Sequence, residues 1–179
     1  MSFVTSALGG AKRGFEIMSP IVQSIMILAL IIIQITVMST NISQVINTLN
    51  PASYVVDNAQ SYLNFIGNFM AIISLLAIVL IVLSAVNMFG TDREAGILGL
   101  YRARNILVWS MVMLWYLFAY VVVYINTQNH NMAIIDIVCT FVGLFLVWPI
   151  LQNLYHSIKS LKPLLDVVIK VFHRKGASA

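Results

Sequence analysis

The sequence predicts an all-α membrane protein with four transmembrane helices and both termini in the cytoplasm. Three observations carry that fold class: the composition, four long apolar runs, and the placement of the charges. The chain has 179 residues, 60% hydrophobic and 9% charged, with mean hydropathy +0.94. A soluble domain carries about 25% charge. This chain could build a core but could not cover it with polar surface, which places it in a bilayer. Residues 1–179 read as a single integral membrane domain.

The elements follow in order. Residues 1–18 hold Lys12 and Arg13, and Gly9, Gly10 and Gly14 weaken a helix there. The first span is Ile21–Thr40, read as a retained span. Its apolar run is long for a signal peptide, and no small-x-small cleavage site follows it. Beyond it, Ile42, Val45, Ile46 and Leu49 mark one face of a short helix that Asn50-Pro51 ends. The remaining spans are Leu63–Phe89, Ile106–Asn126 and Met132–Gln152. About 20 apolar residues cross a bilayer as helix. Buried strands would be shorter, and barrel strands would alternate apolar with polar. Residues 153–179 form a cytoplasmic tail. Within it PLLDVVIKVFHR, residues 163–174, reads either as an interfacial helix or as a plain basic end.

Charge sets the orientation. The stretch Met88–Asn105 gathers Asp92, Arg93, Glu94, Arg102 and Arg104. Two of the ten Lys and Arg precede the first span, three lie in this stretch, and five follow the fourth span. The loops Asn41–Tyr62 and Thr127–Asn131 hold none. The positive-inside rule then puts both termini and Met88–Asn105 in the cytoplasm. Attraction to anionic lipid explains the basic side, and no direct nucleic-acid contact is expected.

Few residues suggest chemistry. Asp136 is the one charged residue in the four runs. It either reaches the outer interface, favoured by the dipole of its helix, or belongs to an ion or proton relay. The histidines, His130, His156 and His173, all lie off mid-span and offer no paired haem ligands. The single cysteine, Cys139, excludes an internal disulfide and any multi-cysteine metal site. Zincin, nucleophile-elbow, P-loop and dinucleotide motifs are absent. No enzyme activity, cofactor, metal or small-molecule substrate is expected.

The uncharged polar residues form stripes. Gln23 and Gln34 are eleven apart and share a helix face. Asn64 and Asn68 stand beside the small pair Gly67 and Ala71. Tyr116, Tyr120 and Tyr124 recur at i, i+4 and i+8. Such stripes mark helix packing, within the chain or with a partner, or else a polar path for a solute. Pro149 is expected to bend the fourth span, with Trp109 and Trp148 anchoring near the cytoplasmic ends.

Two function classes follow. One is a non-catalytic subunit of a membrane assembly, binding the bilayer, other subunits or copies of itself. The other is a small oligomeric channel or transporter. An accessory subunit of a respiratory complex shares the physics of the first class. The segment FIGNFMAIISLLAIVLIVLSAVNMFG, Phe65–Gly90, has a glycine near its start, small residues along it and a glycine exit into a charged loop. It resembles spans of small polytopic inner-membrane proteins of conjugation and type IVB secretion systems, the TraQ- and DotE-like kind. The resemblance implies a bacterial inner-membrane component of a DNA- or protein-transfer machine, assembled with copies of itself or other subunits around a conduit.

Overall fold

The computed structural model describes residues 2–90, 92–127 and 133–176, with side chains over 18–90, 92–127, 134 and 136–162. Four helices follow one another: α1 (Ser2–Leu49), α2 (Ser53–Gly90), α3 (Arg93–Thr127) and α4 (Ala133–Gly176). All four are long and apolar enough to cross a membrane.

Each helix outruns the apolar segment that predicts it. The 35-residue α3 and the 48-residue α1 extend about 52 and 72 Å, against about 30 Å of hydrocarbon. The expected loops shrink accordingly. α1 absorbs the Ile42–Leu49 face and is helical through Gly9, Gly10 and Gly14. Local propensity is a weak prior against continuing a formed helix, where each added residue adds a hydrogen bond. α1 ends at Asn50, whose φ of 45° is left-handed and whose N–H donates to the Ile46 carbonyl at 2.9 Å. α2 starts at Ser53, not at Leu63. α3 starts at Arg93, so most of the expected loop Met88–Asn105 is helix. α4 is assigned as helix through Pro149 and Pro163, so residues 163–174 continue α4 and do not start a separate interfacial helix.

The opening of α3 explains its acidic pair. The Asp92 carboxylate accepts from the Ala95 N–H at 3.0 Å, while the Asp92 carbonyl accepts from the Gly96 N–H at 3.0 Å. That is an N-cap, which satisfies a donor the helix leaves free. Glu94 adds negative charge in the first turn, where the helix dipole favours it.

α3 is the centre of the molecule. It packs on α1, α2 and α4, whereas α1 and α4 do not meet among the described residues. The helices are arrayed about one central member. Burial follows that plan. On α2 the buried residues Ile66, Met70, Ile73, Ala77, Leu80 and Ser84 recur at steps of three and four, one narrow stripe toward α3. On α1 the corresponding stripe is Pro20, Ser24, Ile31, Met38 and Ile42. On α3 the buried set is wider, as a helix with three neighbours requires. On α4, by contrast, large apolar side chains such as Phe141, Phe145 and Trp148 are exposed, a surface suited to lipid.

A close helix approach lies next to the α2–α3 turn. A Cβ added at Gly96 would stand 2.5 Å from the Met88 backbone nitrogen. One added at Gly99 would stand 2.2 Å from the Ser84 hydroxyl oxygen. These two glycines let the backbones of α2 and α3 touch. Gly67 plays no such part, since a Cβ there would meet nothing within 4 Å.

Candidate functional site

Two polar clusters tie the helices, one at each end of α3. Near the α2–α3 turn, Arg102 and Arg104 are two residues apart, about 200° around the helix. They therefore reach opposite ways. Arg102 donates to the His156 carbonyl of α4 at 2.8 Å. Arg104 donates to the Gln23 side-chain oxygen of α1 at 3.0 Å and to Asn105 at 3.0 Å, and stacks 5.1 Å from the Tyr101 ring centre. Gln23 in turn donates to Ser19 at 3.2 Å. The acceptors are neutral oxygens, and no carboxylate pairs with either guanidinium group among the described residues.

The second cluster is at the other end. The tyrosine stripe on α3 drifts about 40° per step of four residues, and its members meet different helices. Tyr116 donates to the Cys139 carbonyl of α4. Tyr120 donates to the Asp136 carboxylate of α4 at 2.8 Å. Tyr124 accepts from the Asn58 amide of α2 at 2.8 Å. Tyr62 of α2 sets its ring edge-on to both Tyr120 and Tyr124, at 5.7 and 5.6 Å between centres. Asp136 lies in the first turn of α4.

A groove of about 370 Å³ opens beside these groups, lined by Tyr62, Tyr116, Leu117, Tyr120, Asp136, Cys139, Thr140 and Gly143. A second cavity of about 470 Å³ shares Tyr62, Leu117 and Tyr120 and continues past Ser61, Phe65, Ile66 and Val121. The Tyr62–Tyr120 pair thus stands between a polar recess and an apolar one.

The other residues singled out in the sequence fall elsewhere. Gln34 has a buried side-chain oxygen without a hydrogen-bond partner among the described residues. Asn64, Asn68 and Ala71 are exposed on the side of α2 opposite its buried stripe, with Gly67 among them. Trp109 packs against the core and Trp148 is exposed. His130 lies outside the described residues, as does the side chain of His173. Among the described residues no group of His, Cys, Asp and Glu could hold a metal ion.

Sequence reading missed Tyr62, Asn58 and the reach of the two arginines. Its signal for the close approach was also misplaced. Gly96, Gly99 and Ala103 form a small-residue run at steps of three and four inside the charged stretch, where the charges drew attention away from it. No protein-family model matches the chain, and no curated protein or solved structure is significantly similar to it.

Proposed function

We propose that this chain is a non-catalytic structural subunit of a multi-component bacterial membrane assembly, of the conjugation or type IV secretion kind. It sits in the inner membrane with both termini and the α2–α3 turn in the cytoplasm. The observation that carries the reading is the outward face of α2. Asn64 and Asn68 are exposed there near the start of the apolar run of α2, with no hydrogen bond to their side chains among the described residues. An amide facing hydrocarbon without a partner costs several kcal/mol, on the order of 2–7. A helix from another subunit or another copy of this chain would satisfy both amides, and Gly67 and Ala71 beside them would let it come close. The charge asymmetry supports the orientation, since every described Lys and Arg lies toward the α2–α3 turn end of its helix.

A small oligomeric channel or transporter is the second reading, favoured by the tyrosine and carboxylate groove. Purification from the native host in mild detergent separates the two. Discrete copurifying membrane subunits support the assembly reading. A pure homo-oligomer that conducts a solute after reconstitution supports the second. A lone chain near 19.9 kDa contradicts both.

A further inference from the structure

We infer that the groove between α2, α3 and α4 binds a lipophilic organic cation, with its charged centre at Asp136 and its apolar part against Tyr62 and Tyr120. The inference does not rest on the assembly reading, because neither Asn64 nor Asn68 lines either cavity.

The chemistry begins with Asp136. One of its oxygens accepts from Tyr120 at 2.8 Å, and the other has no hydrogen bond among the described residues. Every described Lys and Arg is at the opposite end of its helix, so none of them neutralises this carboxylate. It is exposed within the apolar length of α4, where Asp136–Lys162 forms the candidate span. A carboxylate at the start of a span, with an apolar recess beside it, attracts a cation that can bury hydrocarbon at the same time.

The aromatic lining decides which cation. Tyr62 and Tyr120 stand at 85° to each other, so their rings make a corner. Ring faces attract a cation within about 6 Å, most strongly one that has shed its water. A hydrated metal ion or a compact ammonium ion gains little from such a corner. A quaternary ammonium or phosphonium with hydrocarbon substituents gains both aromatic contact and the carboxylate. The adjoining cavity supplies the apolar half. It runs from the same two tyrosines to Phe65, Ile66 and Val121 and holds about 470 Å³. A ligand with a cationic head and apolar groups therefore fits across the tyrosine pair. A small inorganic anion finds no cationic group among the described residues lining either cavity.

The test uses the full chain purified in dodecyl maltoside and equilibrium binding of radiolabelled tetraphenylphosphonium. Saturable binding is expected. The anion tetraphenylborate, of the same shape, should fail to compete. Asp136→Asn should weaken binding at least tenfold, while Tyr120→Phe, which keeps the ring, should hold it within about threefold. Competition by phosphatidylethanolamine would assign the groove to a lipid ammonium, and its absence to a free cation. If the wild-type chain shows no saturable binding, or tetraphenylborate competes equally, the inference is overturned without reference to any variant. Equal binding by a folded Asp136→Asn chain overturns it as well.

Discussion

The two ends of α3 are held in different ways. Near the α2–α3 turn, the helices touch through backbone. Gly96 and Gly99 leave no room for a methyl group, and Arg102 and Arg104 reach out to α4 and α1. At the far end tyrosine side chains of the same helix reach its neighbours with their hydroxyl groups, and two cavities lie beside them. Small residues give closeness and rigidity; large amphipathic ones give a wall that a ligand can occupy. The closed end suits a fixed scaffold, and the open end suits recognition.

The comparison predicts unequal responses to substitution. The largest effect is expected at the closed end. Gly96→Val forces side-chain atoms into the Met88 backbone, which cannot yield as a flexible side chain would. Overpacking of this kind costs about 3 kcal/mol. The variant should lose most of its folded yield or show a much lower Tm in detergent. Gly67→Val, on open surface, should leave the Tm of the isolated chain unchanged. Equal losses at the two glycines would erase the contrast between the packed and the open faces of α2.

A smaller effect is expected for the arginine ties. Arg104→Met keeps the length of the side chain and removes its hydrogen bonds to Gln23 and Asn105. The loss should be about 1 kcal/mol in an unfolding titration. A Gln23→Leu chain should lose less, and the double variant should lose less than the two single losses combined, as for residues in contact. Strict additivity would mean that the Arg104–Gln23 bond contributes nothing.

The smallest effect belongs to the tyrosine end. Tyr120→Phe removes one hydroxyl donor to Asp136. Interhelical polar contacts in membranes average about 0.6 kcal/mol, so the Tm should move little. A large loss would make the groove a structural keystone instead of an open site.

Orientation is tested separately, with Cys139 first replaced by Ser. A cysteine at exposed Ser53 should react with an impermeant maleimide from outside intact cells, and one at exposed Glu94 should not. The reverse pattern would invert the assignment of the two ends.

Much of the fold was legible because its signals are collective. Four apolar runs need no single residue to be read correctly. Helix ends were less legible. Ser53–Tyr62 is polar enough to look like a loop, yet it continues α2, because Asn58 and Tyr62 face the tyrosines of α3 and not lipid. The tyrosine stripe was visible from its spacing, but which helix each ring meets depends on the crossing of α2, α3 and α4, which spacing does not encode. The pair Gly67 and Ala71 matched a packing pattern as well as Gly96 and Gly99 do. Only the position of the neighbouring helix distinguishes them.

The central claim is that the Asn64–Ala71 face of α2 meets another protein in the membrane. A photo-crosslinking residue placed at Asn68 tests it in native membranes, against the same residue at Leu144, which is 64% exposed on the lipid-facing side of α4. The account predicts a discrete protein adduct from position 68 and lipid adducts alone from position 144. Lipid adducts alone at both positions would contradict it.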